Sequence, residues 1–237
     1  MKVLITGYGR MGKLIEKTLL AAGDEVVGFI DIDNAADLET MDKVADLIMD
    51  FSNPSLTDQL VAYADRTGTP LLSGTTNMTE AQHEAFAKLG EKLPVIWASN
   101  YSLGVNLFMH ILPQVAAVLP DWDIEITETH HNKKVDAPSG TAKSLADAID
   151  PEGKLERVYG RGGNCGERTK KEIGMHARRG VTVTGEHTVD FFGNDEVFEI
   201  THKAGSRQIL VDGAIAAARK LVDKEAGLYT METLLFG

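Results

Sequence analysis

Cysteine is nearly absent from this sequence, since Cys165 is the single one among 237 residues. No disulfide can form within the chain, and this scarcity fits a reducing compartment. Basic residues are also in deficit: 24 Lys and Arg stand against 35 Asp and Glu, for a net charge of -11. Because an acidic surface repels polyanions, we expect neither nucleic acid nor an anionic membrane to be the main partner.

Long apolar runs are missing as well. Three apolar residues separate Lys2 from Thr6, which is too short for the core of a signal peptide. The longest apolar-rich stretch, 103–119, is interrupted by an asparagine, a histidine and a proline, and is a better buried helix than a membrane span. We therefore expect a cytoplasmic protein with no membrane partner.

Short apolar runs alternate with helical patterns over the first hundred residues. The patterns predict strands at 3–6, 26–31, 46–51, 70–73 and 94–98. They predict helices at 12–22, at 56–67 and after a capping box at 79–82. Strands that alternate with helices indicate an α/β fold in which a doubly wound, Rossmann-like parallel sheet is covered on both faces.

The pattern changes after Asn100. A long helix at 103–119 precedes predicted strands at 123–129, 181–192 and 197–202, a loop at 151–168 and a helix at 212–222. These elements indicate a C-terminal α+β domain with a mixed, largely antiparallel sheet. The last residues are too apolar for a free end, so we predict one domain at 1–101, joined by the C-terminal segment 208–237, and a second at 102–207.

A glycine-rich loop follows the first predicted strand. It matches the pattern G-x-G-x-x-G with Gly7, Tyr8, Gly9, Arg10, Met11 and Gly12. The first glycine permits a tight turn, the second lets a pyrophosphate approach the backbone, and the third lets the helix pack on the strand. A plain glycine-rich turn is the alternative, but the position between a strand and a helix favours a dinucleotide site.

Asp31 bears on the choice of cofactor. It lies nineteen residues after Gly12 at the end of the second predicted strand, where a carboxylate binds the ribose hydroxyls of adenosine. A carboxylate repels a 2′-phosphate, and residues 32–34 supply no arginine to hold one. We therefore predict that NADH is preferred, while a lysine from elsewhere in the fold would permit NADPH.

The segment 125–142 combines several groups that suit acid–base chemistry. His130 and His131 end a predicted strand, where neighbouring side chains point to opposite faces, and either imidazole can deliver a proton near neutral pH. Lys134 can pair with a carboxylate and donate a proton. Gly140 and Thr141 begin a predicted helix whose amide N–H groups, with the Thr141 hydroxyl, form a natural carboxylate site.

Each of these features also has a plainer interpretation. A histidine pair at a strand end is often on the surface, Lys133 and Lys134 can form a solvated face, and Ser139-Gly140-Thr141 can be a simple helix cap. Their combination in one segment favours function. We expect no metal site, because adjacent histidines lack the common ligand spacing and Cys165 has no cysteine partner.

At this point the sequence resembles a known family. The segment is similar to the signature of the 4-hydroxy-tetrahydrodipicolinate reductase (dihydrodipicolinate reductase) family of the bacterial diaminopimelate–lysine pathway. The positions that match it are Glu125, Ile126, Glu128, His130, Lys134, Asp136, Pro138, Ser139, Gly140, Thr141 and Ala142. Further family motifs occur in order at 7–12, 50–54, 74–76, 98–106, 185–189 and 202–207, and Asn77 stands where glycine is common.

The resemblance implies an NAD(P)H-dependent oxidoreductase, usually a homotetramer. Its N-terminal domain would bind the cofactor, and its C-terminal domain would bind a small cyclic dicarboxylate and build the oligomer through its sheet. His130 would then be the proton donor, Lys134 a second donor, and His131, Gly140 and Thr141 substrate ligands. Cofactor contacts would come from residues 7–12 and from Asp31, Gly74, Thr75, Thr76, Ala98, Ser99, Asn100 and Tyr101. The role of Arg207 stays open.

The chemistry implied is reduction of an α,β-unsaturated cyclic imine, formed when the 4-hydroxy substrate loses water. The nicotinamide supplies a hydride, and His130 with Lys134 supplies the proton. Two alternatives remain. Another Rossmann amino-acid dehydrogenase would explain the glycine loop but would leave the segment 125–142 unused. A non-catalytic NAD-binding regulator would bind NADH without oxidising it.

Overall fold

The computed structural model describes residues 1–237 and contains two compact units. One unit consists of residues 1–103 and 208–237, and the other of residues 104–207. The first holds a six-stranded sheet and the second a five-stranded sheet. None of the helices combines the length and the apolar composition needed to cross a bilayer.

Eleven strands and seven α-helices make up these units. The strands are β1 (Lys2–Thr6), β2 (Glu25–Ile30), β3 (Leu47–Asp50), β4 (Leu71–Ser73), β5 (Pro94–Trp97), β6 (Asp123–His130), β7 (Glu156–Tyr159), β8 (Glu172–Arg179), β9 (Gly185–Phe192), β10 (Val197–Ala204) and β11 (Gly227–Tyr229). The helices are α1 (Arg10–Ala21), α2 (Thr57–Thr67), α3 (Glu80–Gly90), α4 (Leu103–Val118), α5 (Gly140–Ile149), α6 (Gln208–Leu221) and α7 (Met231–Phe236).

The sheet of the first unit is entirely parallel, in the order β11-β5-β4-β3-β1-β2. Its central strands are buried on both faces, as the apolar runs predict. Val3 and Ile5 pack in one core with α1, α6 and α7, whereas Leu4 packs in the other with α2 and α3. The predicted doubly wound α/β fold is therefore confirmed. The sixth strand, β11, was not predicted and comes from the C-terminal segment.

The sheet of the second unit has the order β10-β9-β6-β8-β7. The pairs β9–β10 and β6–β9 are antiparallel, and the pairs β6–β8 and β7–β8 are parallel. The predicted mixed sheet is confirmed, but its pairing is evenly divided rather than largely antiparallel. Side chains from α4 and α5, such as Phe108 and Leu145, cover one face of the sheet.

Two strands of this sheet were missed in the sequence, and a third was placed too early. The predicted loop at 151–168 contains β7, an edge strand that pairs only with β8. Strand β8 pairs with β6 in parallel and carries charged side chains that contact carboxylates of β6: His176 contacts Glu125, and Arg179 contacts Glu128. The strand predicted at 181–192 begins only at Gly185. Because charged residues interrupt its apolar ones, β8 lacks the clear alternation of apolar and polar residues by which a strand is recognised in a sequence.

Candidate functional site

The strand order of the first unit creates a binding edge between β1 and β3. Strand β2 follows β1 on one side, and the chain then crosses back to place β3 on the other side. Ligands of open α/β sheets bind at such a reversal, beyond the carboxyl ends of the strands. Gly7 follows β1 there, and a Cβ atom on Gly7 would lie 2.4 Å from the carbonyl oxygen of Phe51, the residue after β3.

The three glycines of the loop have different surroundings. Gly7 has a φ of +84°, and a Cβ on Gly12 would lie 2.2 Å from the carbonyl oxygen of Gly7. A Cβ on Gly9 would meet no atom within 4 Å. Gly9 precedes α1, whose start has no side-chain cap and no acidic residue in its first turn. The loop therefore leaves open space and amide donors for an anion, which fits a pyrophosphate.

These surroundings predict different effects for two alanine substitutions. Gly12→Ala is expected to reduce the free energy of unfolding by about 1–3 kcal/mol, because its methyl group collides with backbone. Gly9→Ala is expected to leave stability unchanged and to weaken NADH binding by about tenfold or more, because the methyl group enters the space for the phosphates. Urea unfolding and a fluorescence titration with NADH measure the two effects. Equal NADH affinity in Gly9→Ala and the natural protein would contradict this assignment of the loop.

The remaining loop residues connect to Asp31. The Tyr8 amide donates to Asp31 Oδ2 at 3.0 Å, while Asp31 Oδ1 accepts from the amide of Ile32 and caps a 3-10 helix, Ile32–Glu39. The Tyr8 ring packs on Phe29 with centroids 4.2 Å apart. Arg10 is exposed, and Met11 packs against the core. The structure thus brings the Asp31 carboxylate directly to the glycine loop.

A buried carboxylate, Asp50, organises the other predicted cofactor residues. It accepts hydrogen bonds from Thr6 Oγ1 at 2.7 Å, from Ser73 Oγ at 2.6 Å and from Ser52. Ser73 also accepts from the Thr75 amide, and its carbonyl oxygen accepts from the Tyr101 hydroxyl at 2.7 Å. Asp50 therefore ties the carboxyl ends of β1, β3 and β4 together, a role that the sequence pattern did not predict.

The other predicted cofactor residues lie around this cluster. Gly74 donates its amide to the Asp50 carbonyl oxygen, and Ala98 donates to the Ser73 carbonyl oxygen. Thr76 and Ser99 are exposed, whereas the Asn100 side chain accepts from the Ser102 amide. Asn77, where the resemblance leads us to expect glycine, has a φ of +62°. This left-handed conformation explains why glycine suits the position.

In the second unit, a buried glutamate supports the predicted proton donor. The Glu128 side chain is 1% exposed and contacts His130 Nδ1. Arg179 Nη1 donates to both Glu128 oxygens at 3.0 and 3.1 Å, and the Ser139 amide donates at 3.3 Å. Glu128 thereby joins the end of β6 to β8 and to the start of α5.

A second histidine, His187, lies beside this group. Its ring is 5.2 Å from that of His130, and its Nε2 lies 3.0 Å from Ser139 Oγ. Ser139 in turn accepts from the Ala142 amide and caps α5. Burial lowers the pKa of His187 from 6.5 to about 4, and the electrostatic influence of His130 acts in the same direction. His187 is therefore neutral near pH 7.

Lys134 lies on the turn that follows β6. Its Nζ is 2.8 Å from Asp136 Oδ1, and this hydrogen bond lowers the pKa of Asp136. The Asp136 side chain is 53% exposed. Exposed ion pairs stabilise proteins by about 0–1 kcal/mol, so a ligand carboxylate could replace Asp136 at little cost.

The remaining predicted substrate ligands surround the same helix start. Gly140 is exposed, and a Cβ there would meet no atom within 4 Å, so the helix start faces open space. Thr141 follows it and is half-buried. His131 Nδ1 is buried without a hydrogen-bond partner, and Arg207 is exposed. The structure thus brings His130 and the start of α5 together through Glu128 and Ser139.

Sequence reasoning missed Arg179 and His187 as parts of this site and gave Glu128 no role beyond matching the family signature. Glu128 and Arg179 are separated by 51 positions, and the strand that carries Arg179 was not predicted. The available signal was a glutamate at the second position before His130 on a half-buried strand, where both side chains share a face. No group of three or more His, Cys, Asp or Glu side chains is arranged to hold a metal ion.

Comparisons of the whole sequence with known proteins indicate one family. A family model described as dihydrodipicolinate reductase, N-terminus, matches residues 1–101, and its C-terminal counterpart matches residues 104–235. A 4-hydroxy-tetrahydrodipicolinate reductase of Brachyspira hyodysenteriae is 41% identical over 238 residues, covering 99% of this chain and 100% of that one. The same enzyme of Exiguobacterium sp. is 38% identical over 237 residues, covering 99% and 95%.

Solved structures extend the likeness to the fold. A dipicolinate-bound dihydrodipicolinate reductase from Paenisporosarcina sp. TG-14 has a TM-score of 0.80 at 22% identity and covers 100% of this chain and 99% of that chain. A DAP dehydrogenase of C. glutamicum, solved with DAP, shares the fold at a TM-score of 0.57 and 14% identity, covering 98% and 92%. The predicted family is confirmed by the family models and the full-length relatives: the chain belongs to the dihydrodipicolinate (4-hydroxy-tetrahydrodipicolinate) reductase family of oxidoreductases.

Proposed function

We propose that this protein reduces 4-hydroxy-tetrahydrodipicolinate, by way of dihydrodipicolinate, to tetrahydrodipicolinate in the diaminopimelate–lysine pathway. The observation that supports the proposal is that buried Glu128 contacts both His130 and the Ser139 amide at the start of α5. Relatives named for this activity share 38–41% of their residues with the chain.

A nicotinamide cofactor supplies the hydride in this family. In this chain the amides at Gly9 and the start of α1 would hold the pyrophosphate, and Tyr8, Arg10 and Met11 would flank it. Asp31 would bind the adenosine ribose. The loops at 74–76 and 98–101, held in place through Asp50 and Ser73, would contact the nicotinamide half.

The substrate is a cyclic dicarboxylate, so the site must bind two negative charges. The start of α5 at Gly140 and Thr141 offers amide donors and a favourable helix dipole to one carboxylate. Lys134 offers a cation to the other by exchanging its exposed partner, Asp136. His131, with its buried unpaired Nδ1, would supply a further hydrogen bond.

Proton delivery completes the reduction. Hydride addition to the unsaturated ring leaves negative charge on the conjugated system, which a positioned acid neutralises. His130 contacts Glu128 through Nδ1, so Nε2 is the atom that faces the substrate. Lys134 serves as the second proton donor, because an ammonium group bound to a carboxylate lies close to the ring that bears it.

Oxidation of NADH and NADPH is the first test. Dihydrodipicolinate is generated in place from pyruvate and aspartate semialdehyde, and loss of reduced nicotinamide absorbance is followed. We expect turnover with both cofactors, with a higher kcat/KM for NADH, because the Asp31 carboxylate repels a 2′-phosphate and residues 32–34 provide no arginine.

Both alternative functions predict no oxidation of reduced nicotinamide in this assay, and a second assay with NAD and amino acids separates them. A non-catalytic regulator would bind NADH and oxidise none of it. An amino-acid dehydrogenase would reduce NAD with an amino acid and leave dihydrodipicolinate untouched. A higher kcat/KM for NADPH would overturn the Asp31 argument while leaving the reductase function intact.

Assembly and location extend the proposal. Both helices of the second unit pack on one face of its sheet, and the opposite face carries polar side chains such as Glu125, Thr188 and Asp190. We place the contacts of a homotetramer on that face, and the enzyme in the cytoplasm with its small-molecule substrate. Sedimentation velocity measures the assembly, and a monomer at assay concentration would contradict it.

A further inference from the structure

Glu128 has three hydrogen-bond partners, and two of them can only donate. The Ser139 amide donates to Oε1 at 3.3 Å, and Arg179 Nη1 donates to Oε1 at 3.0 Å and to Oε2 at 3.1 Å. His130 Nδ1 contacts Oε2. A carboxylate accepts hydrogen bonds and has no proton to give, so His130 must carry a proton on Nδ1.

This proton decides which nitrogen of His130 takes part in chemistry. A neutral imidazole has one N–H, so a proton held on Nδ1 leaves Nε2 as the atom that exchanges a proton with a ligand. Nε2 has room because position 185 is glycine: a Cβ there would lie 3.1 Å from it. The ring is therefore fixed through Nδ1, and glycine at 185 keeps Nε2 uncrowded.

We propose that Glu128 is a positioning residue, which acts on the reaction by holding the Nδ1–H tautomer and the orientation of the His130 ring. The inference rests on the proposed function, in which His130 is the proton donor. After the proton leaves Nε2 for the substrate, the remaining proton stays on Nδ1 against Glu128. No other proton need move for the donor to reach its neutral form.

Arg179 supports this arrangement and extends it. A carboxylate that is 1% exposed is costly without a partner, and the guanidinium supplies the opposite charge. Through Nη2, Arg179 also donates to the Asp136 carbonyl oxygen at 2.7 Å. Asp136 lies on the turn that carries Lys134, so one ion pair supports both predicted proton donors.

Glu128→Gln tests the proposal at nearly constant shape. An amide has one oxygen, and the backbone N–H of Ser139 requires an acceptor. The glutamine oxygen therefore faces Ser139, and its NH₂ group faces His130. We expect the ring to switch to the Nε2–H tautomer, visible in the ¹⁵N spectrum of histidine-labelled protein. We expect kcat to fall by about 10²-fold or more, with the affinity for NADH unchanged.

A double-mutant cycle separates positioning from general support of the fold. If Glu128 acts through the imidazole, Glu128→Gln causes no further loss of kcat in a protein that already carries His130→Gln. A multiplicative loss in the double variant would overturn the proposal. An unchanged Nδ1–H tautomer in Glu128→Gln would overturn it as well, whatever the kinetics.

A second variant and a second measurement keep the test decisive. If Glu128→Gln fails to fold because Arg179 is left as a half-buried cation without its carboxylate, combining it with Arg179→Gln removes both charges, and the same tautomer switch is expected. If the natural protein does not reduce dihydrodipicolinate, the proposed function fails, whereas the ¹⁵N spectrum still tests whether Glu128 sets the His130 tautomer.

Discussion

His130→Gln is expected to lower kcat by about 10²- to 10⁴-fold, the range that a positioned general acid contributes. NADH affinity should stay unchanged, because the glycine loop and Asp31 belong to the other unit of the chain. Glutamine keeps a polar side chain of similar reach, but its amide cannot donate a proton as an acid. Steady-state kinetics with dihydrodipicolinate and a fluorescence titration with NADH measure the two quantities.

His176→Gln is the matched control for this substitution. His176 lies on β8, and its Nε2 is 2.6 Å from Glu125 Oε2. A glutamine amide can keep that hydrogen bond, so kcat should remain that of the natural protein. An equal loss of turnover and NADH affinity in His130→Gln would indicate a disturbed fold and would contradict its role as the proton donor.

Local periodicity was enough to predict five of the six strands of the first unit, all except β11. Val3, Leu4 and Ile5 are all apolar because the strand is buried on both faces, and such a run is typical of a parallel sheet between helix layers. The capping box at Thr79 was also visible, since its side chains interact within one turn. These features depend on residues that are close together in the sequence.

The parts of the site that were missed depend on contacts between distant residues. Asp50 accepts hydrogen bonds from the hydroxyl groups of Thr6 and Ser73, which are 44 and 23 positions away in the sequence. A Cβ atom on Gly174 of β8 would lie 1.8 Å from the Glu125 carboxylate of β6, so the side chain on β6 leaves space only for glycine on β8. No local pattern reports such pairings.

The segment 125–142 could be predicted only in part. The residue types and the likeness to a family were readable, and they gave the interpretation of His130, Lys134, Gly140 and Thr141, whose individual roles stay predictions. Their support was not readable, because Arg179 reaches Glu128 and the Asp136 carbonyl oxygen from a strand with little apolar character. Sequence patterns indicate which groups do chemistry, whereas the structure indicates which groups hold them.

Buried His187 is expected to make the protein less stable as the pH falls from about 6.5 to about 4. Burial lowers the pKa of His187 from 6.5 to about 4 in the folded chain. Between these values the unfolded chain binds a proton that the folded chain does not, so the free energy of unfolding decreases with decreasing pH. The full shift corresponds to about 3 kcal/mol.

Comparison with His187→Gln isolates this contribution from that of the other titrating groups. The variant has no imidazole at 187, and its amide can still contact Ser139 Oγ, so its stability relative to the natural protein should rise by about 3 kcal/mol as the pH falls through this window.

Ser139→Ala is the control, since it removes the hydrogen bond and the cap of α5 but keeps the buried ring. It should be less stable at every pH, while its free energy of unfolding should change with pH as in the natural protein. Urea unfolding across the pH range measures all three proteins. If the free energies of unfolding of His187→Gln and the natural protein changed with pH in parallel, the ring would take up its proton as readily in the folded chain as in the unfolded one. The prediction that the buried His187 stays neutral would then be wrong.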